Sequence, residues 1–227
     1  MCGTCCKNTP ITLLPHEAVI LETLSKELKI DAIIEPGFTL TDGKNRIRIA
    51  LSYVLKPREG VCPFLNDNRC SIHNLYKPLI CRSFPLVPIH VKYFIDTKTL
   101  RIVHISRYGL SSICPSVKDM VKEYGNETHS ILPHIFPDEY EAYYIMESLR
   151  MSYMHALSRL WQNAVLGLLS YGEKHSDLPL INAYILLKPF IDNAILMIED
   201  PYYVLTLHRY LRLGTKLEIE KKSIADK

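Results

Sequence analysis

The chain has 227 residues, of which 48% are hydrophobic and 22% charged, with a formal net charge of +3. That length can bury a substantial core, the composition excludes a disordered chain, and the charge is too small to indicate nucleic-acid binding by itself. The charge is uneven: residues 1–115 hold 15 Lys/Arg against 9 Asp/Glu, and the remainder holds 12 against 15, a mild basic bias in the first half.

The first six residues already carry Cys2, Cys5 and Cys6. Residues 14–28 read as a helix: Pro15 suits a first-turn position, Glu17 suits the positive end of the dipole, and Val19, Ile20, Leu21, Leu24 and Leu28 form an apolar face. Pro36-Gly37 and Asp42-Gly43 mark turns. Residues 46–55 alternate as one strand, with Ile47, Ile49, Leu51 and Tyr53 on one face. Residues 56–88 are rich in proline and hold Cys62, Cys70 and Cys81, which predicts a loop region with little core of its own. Two alternating runs, 87–96 and 100–108, flank Asp96-Thr97-Lys98-Thr99 and predict a β-hairpin.

From Pro115 the pattern turns helical. Residues 116–124 form a short helix, and Pro137-Asp138 opens a long one running toward Tyr171, with Gly167 and Gly172 near its end. Apolar residues cover most of its circumference, so Tyr143, Tyr144, Tyr153 and Trp161 read as core of a helical bundle. Helices over 178–199 and 202–213 complete that bundle. The apolar stretch 180–198 is broken by Lys188, Pro189 and Asp192, whereas a membrane span needs roughly 20 mostly apolar residues.

No apolar run follows a basic segment at the N-terminus, so no secretory signal is read and the protein is expected in the cytoplasm. Structural disulfides are rare there, and an odd count of seven cysteines would leave one unpaired. Clustered thiols in a reducing compartment usually hold a metal, because soft sulfur ligands select zinc, iron–sulfur clusters and Cu(I). A tetrahedral zinc or a cluster takes four thiolates, yet only one Cys-x2-Cys pair exists, Cys2 and Cys5. Successive side chains diverge in extended backbone, so Cys5 and Cys6 are expected on two centres, or with one of them in the core. Spacing leaves open one four-ligand site with spare thiols or one multinuclear cluster. No two glycines lie within three residues of each other, so no glycine-rich turn cradles a nucleotide, and neither a G-x-S-x-G elbow nor an H-E-x-x-H pair is present.

The succession Cys2-Gly3-Thr4-Cys5-Cys6, Cys62-Pro63-Phe64-Leu65, Cys70-Ser71-Ile72-His73, Pro78-x2-Cys81-Arg82-x-Phe84-Pro85 and Cys114-Pro115 resembles the YkgJ-type cysteine-cluster proteins. These are described as zinc- or iron-chelating domains, and the group includes the flagellin lysine-N-methylases. The resemblance covers residues 1–118. It implies metal ligation by Cys2, Cys5, Cys6, Cys62, Cys70, Cys81 and Cys114. Three departures stand out. The family carries a further cysteine three residues before this first element, so the natural chain is expected to begin upstream of Met1. His73 stands where the family has tyrosine and is a replacement ligand candidate, and Lys77 stands where the family has arginine, a point charge in place of a fork.

The fold class expected is therefore α+β: a cysteine-rich N-terminal lobe (1–118) with a small antiparallel sheet and one helix, packed on a C-terminal helical bundle (119–227). The lobe is expected to hold an iron–sulfur cluster, with zinc as the alternative. Arg82 is expected to balance thiolate charge or form a structural salt bridge, and Phe84 and Pro85 to wall the site from water. His90 and His104 are placed opposite each other across the hairpin. The function expected is metal binding with a redox role. The alternatives are the methylase chemistry implied by the resemblance, with S-adenosylmethionine as methyl donor, and a structural zinc module. A protein partner or substrate is open, while a membrane or nucleic acid is not indicated.

Overall fold

The computed structural model describes residues 3–7, 11–42, 45–96, 98–99, 101–125, 128–160 and 177–192. A 3₁₀ turn (Thr4–Cys6) precedes strand β1 (Ile11–Leu13), helix α1 (Pro15–Leu28) and strands β2 (Ile34–Pro36), β3 (Thr39–Asp42), β4 (Ile47–Ala50) and β5 (Tyr53–Leu55). Two short strands follow, β6 (Leu65–Asn66) and β7 (Arg69–Cys70), then the single-turn helix α2 (Leu79–Arg82) and the long strands β8 (Leu86–Asp96) and β9 (Arg101–Leu110). Helices α3 (Pro115–Tyr124), α4 (Thr128–Ile135) and α5 (Pro137–Leu160) lead to strand β10 (Leu180–Asn182) and helix α6 (Ala183–Asp192).

Helix α1 starts where Pro15 occupies the first turn, with its missing N–H costing nothing there. Glu17 reaches back to accept the Leu14 N–H at 2.8 Å, the carboxylate half of a capping box. The helix ends at Lys29 in the left-handed region. Its buried side holds Ala18, Leu21, Leu24 and Ser25 together with His16 and Glu17, while Leu28 is largely solvated. Hydrophobic periodicity placed the helix, but the two polar residues in its first turn are among the most buried in the chain.

Residues 46–55 form two strands rather than the single one expected. The chain turns at Leu51-Ser52, where Leu51 N–H donates to Phe38 O (2.9 Å) and Ser52 O accepts from Gly37 N–H (2.8 Å). The Ser52 hydroxyl oxygen also accepts the Phe38 N–H at 2.9 Å. A Cβ on Gly37 would stand 2.8 Å from that oxygen, so the close approach requires glycine. Beyond this corner β5 pairs antiparallel with β1 and β2, whereas β4 pairs antiparallel with β3 and parallel with β10.

The described residues thus contain four sheets, not one, and those of the C-terminal part do not form a helical bundle. Two causes account for the difference. Residues 178–182 read as the start of a helix but are drawn into the β4 edge, where Pro179 O accepts the Arg48 N–H at 2.8 Å. Asn182 then caps α6 by accepting the Tyr184 N–H, and its amide donates to Pro15 O at 2.9 Å. The apolar side of α5 meanwhile closes chiefly on β9 and on the single-turn helix α2. One core accordingly joins Leu14, Leu40, Ile49, Leu79 and Leu86 to Met146, Leu149 and Leu157 of α5 and Leu187 of α6. Of the expected bundle residues, Tyr143 and Tyr153 are buried, Tyr144 is exposed, and Trp161, Gly167, Gly172 and residues 193–213 lie outside the described part. Helix α4 was not anticipated, because Pro133 inside it reads as a breaker.

The hairpin β8–β9 is present, with Tyr93 opposite His104 and a register shift between Pro88 and His90. His90 therefore faces Arg107, not His104. A second core, under α1 and the β1–β5–β2 sheet, gathers Leu13, Leu21, Tyr53, Leu55, Phe64, Ile72 and Tyr76 around Cys62. Among the described residues, no helix is long and apolar enough to cross a membrane.

Candidate metal centre

Four backbone features bring thiols from three separate segments to the rim of this second core. The first is the N-terminal turn. Gly3 stands at φ +66°, and the next residues close a 3₁₀ turn in which Cys6 N–H donates to Gly3 O at 3.1 Å. This turn sets the Cys5 and Cys6 sulfurs 3.9 Å apart. With metal–sulfur bonds of about 2.3 Å, two ligands at a tetrahedral angle stand about 3.8 Å apart. The expectation that adjacent cysteines diverge assumed extended backbone, and the turn removes it.

The second feature is a backbone clasp: Cys6 O accepts the Cys62 N–H at 2.7 Å, and Lys7 bridges to Val61. Third, β6 and β7 pair Leu65 with Cys70 through a two-residue turn in which Asp67 and Asn68 both have positive φ, the geometry preferred for tight hairpins. Fourth, Pro78 starts α2, where Cys81 N–H donates to Pro78 O at 2.9 Å. Residues 56–88 also contribute core of their own, against expectation: Phe64, Ile72 and Leu79 are 1%, 2% and 0% exposed.

The six described cysteines are free thiols, and five of them act on one another. The Cys5 thiol is drawn down to about 6, chiefly by its hydrogen bond with Cys6 and against burial. The Cys6 thiol is pushed up by the same bond, by burial and by the nearby Cys5, Cys62 and Cys81. Burial, with Cys70 and Cys5 as neighbours, raises Cys62 to about 11. Cys81 is raised well above the ordinary thiol value by burial, then by Cys62, Glu17 and Cys5, with Lys77 opposing. Several thiolates cannot share this volume without a cation, and a soft divalent or iron centre would supply that charge while releasing protons. Among the described residues no three histidine, cysteine or carboxylate side chains hold a ready-made ion geometry. The thiols are neighbours that would draw inward on loading, and their donor chemistry fits a thiophilic metal.

Cys2 lies outside the described residues. Cys114 caps the start of α3 beyond β9, tied toward the site only through the Ser111 N–H bond to Pro85 O at 2.9 Å. His73 donates its backbone N–H to Cys70 O at 3.2 Å, and its Nδ1 is buried without a hydrogen-bond partner. Arg82 is exposed, and the cation acting on both Cys5 and Cys81 is Lys77. Pro85 is buried and Phe84 half-buried behind Cys81. Sequence reasoning gave Lys77 no role. Its position directly before the proline that leads the Cys81 turn was the available signal.

Residues 1–108 match the family model CxxCxxCC, described as "Putative zinc- or iron-chelating domain". The matched family is the cysteine-cluster family that the motifs of this chain resemble. The match ends inside β9. Neither the curated proteins nor the solved structures contain a match to the chain.

Proposed function

We propose that this protein binds an iron–sulfur cluster through thiolates drawn from Cys5, Cys6, Cys62, Cys70 and Cys81, and that it serves as a redox protein in a reducing compartment such as the cytoplasm. Cys2 and Cys114 complete the ligand candidates. The observation that carries this reading is that one core gathers Cys6, Cys62, Cys70 and Cys81 from three chain segments, with the Cys5 sulfur 3.9 Å from that of Cys6. Five exceeds the four that a single tetrahedral zinc takes. The Cys5–Cys6 separation suits two thiolates on one tetrahedral ion, including an iron of a two-iron cluster.

When bound, such a cluster supplies one-electron transfer. The chain's own residues supply the rest. Lys77 offsets thiolate charge on the Cys5 and Cys81 side, and Phe64 with the buried face of Cys62 keeps water from the inner side of the site. Iron, zinc and acid-labile sulfide analysis of protein purified without oxygen tests the proposal. Iron and sulfide in comparable amounts, with a visible spectrum bleached by dithionite, is the expected result. One tightly bound zinc per chain and no sulfide would replace the cluster with a structural zinc site.

A further inference from the structure

We infer that Glu17 is a positioning residue for the metal centre, fixing from helix α1 the segment that delivers Lys77 and Cys81. The inference rests on the metal-binding reading above and concerns a residue that belongs to no cysteine motif. Glu17 is 0% exposed. Its Oε2 accepts the Leu14 N–H at 2.8 Å, within its own capping turn. Its Oε1 accepts two bonds from a distant segment, the Leu79 N–H at 2.7 Å and the Tyr76 hydroxyl at 3.1 Å.

Those two donors straddle Lys77-Pro78. One carboxylate oxygen therefore holds both ends of the four-residue stretch whose cation acts on Cys5 and Cys81. The second donor is the first residue of α2, two positions before Cys81. A helix of four residues cannot hold its own place, since helices this short are unstable in isolation. Its position must come from tertiary bonds, and the Glu17–Leu79 bond is the polar one at its start. A capping role alone would use only Oε2 and would not require the second oxygen to be buried against residues 59 and 62 positions away.

The test uses the full chain, reduced and stripped of metal, titrated with Co(II) as a thiolate probe. Sulfur-to-cobalt charge-transfer intensity reports how many thiolates bind, and chelator competition gives the affinity. Glu17→Leu is expected to lose about 10- to 100-fold in affinity, the range typical of outer-shell partners, together with part of the charge-transfer band. Glu17→Gln, whose carbonyl can still meet Leu79 and Tyr76, is expected to restore most of both. Tyr76→Phe, which removes one of the two bonds, is expected to show a several-fold loss and keeps the inference testable should Glu17→Leu fail to fold. Leu157→Ala in α5 serves as the control for general destabilisation. Wild-type affinity and spectrum in Glu17→Leu or Tyr76→Phe would overturn the inference, as would an equal loss in Leu157→Ala. Absence of thiolate charge transfer in the wild-type protein would instead overturn the metal reading, and the inference with it.

Discussion

Replacing Glu147 by glutamine should destabilise the protein more than any polar substitution at its surface, and adding Arg150→Met should recover much of the loss. Arg150 Nη1 donates to Glu147 Oε1 at 2.8 Å, with side chains only 6% and 14% exposed. Glu147 also accepts the Ser106 hydroxyl and lies 3.6 Å from His104 Nε2, so it ties β9 to α5. The other ends of the guanidinium are poorly served: Nη2 meets only the Met146 sulfur at 3.7 Å, and Nε has no partner. Removing one member of such a pair typically costs about 3–5 kcal/mol, because a charge is left buried and uncompensated. Arg150 retains the electrostatic company of Glu17, which places the expected cost near the lower end, about 3 kcal/mol. At about 2–4 °C per kcal/mol for a chain of this size, the melting temperature should fall by about 6–12 °C. The double variant exchanges the pair for neutral groups of similar length beside a methionine, and should regain about half or more of the loss. Urea unfolding followed by far-ultraviolet circular dichroism, with unchanged slope, is the assay. A cost for Glu147→Gln below about 0.5 kcal/mol, the range of ordinary surface changes, would refute the reasoning, as would a double variant less stable than Glu147→Gln alone.

Stability should fall with acid before the carboxylates titrate. Burial holds His16 down to about 3, and burial with the Arg150 charge holds His104 down to about 4, against 6.5 for the free imidazole. Below pH 6.5 the unfolded chain takes up protons that the native state refuses, so stability present above that value is lost progressively down to about pH 3. A urea midpoint unchanged between about pH 7 and about pH 5 would contradict this. Chelation under reducing conditions should lower the unfolding midpoint while leaving most far-ultraviolet ellipticity intact, because Phe64, Ile72 and Leu79 still anchor the loop region. Complete loss of ellipticity on chelation would show that the metal alone holds that region. Gly3→Ala should cost about 1–2 kcal/mol through its positive φ and weaken Co(II) binding at Cys5 and Cys6, and an unchanged cobalt affinity would remove the turn from the site.

Local signals were legible where local physics decides. Pro15 and the apolar spacing that follows it mark α1, and the alternation in 87–96 and 100–108 marks the hairpin, because both patterns are satisfied within a few residues of chain. Features set by distant partners were not. Residues 46–55 alternate without a break, yet Phe38 and Gly37 take the backbone bonds at Leu51-Ser52 and split the strand between two sheets. Residues 180–182 become a strand because they pair with the edge of β4, far earlier in the chain, with Leu180 opposite Arg48. Glu17 reads as a dipole partner in its own helix, and its burial is visible only when Tyr76 and Leu79 are in place. The cysteine spacings likewise announce a thiol site but not its membership. The five that act on one another are chosen by the Gly3 turn, the Cys6–Cys62 backbone bond and the Pro78 start of α2.

Those three devices are backbone hydrogen bonds and turns. The thiols are gathered by the fold, and burial first, then the charges of their neighbours, disfavours ionising Cys62 and Cys81. A cation bound among these thiols would offset the negative charge that their ionisation creates. A buried carboxylate acts on the same thiols. Glu17 adds negative charge where thiolates already crowd, a choice that disfavours ionised Cys81. It is tolerable because the same carboxylate holds the Lys77 segment that offsets the charge, so position and charge balance at Cys81 are set by one group.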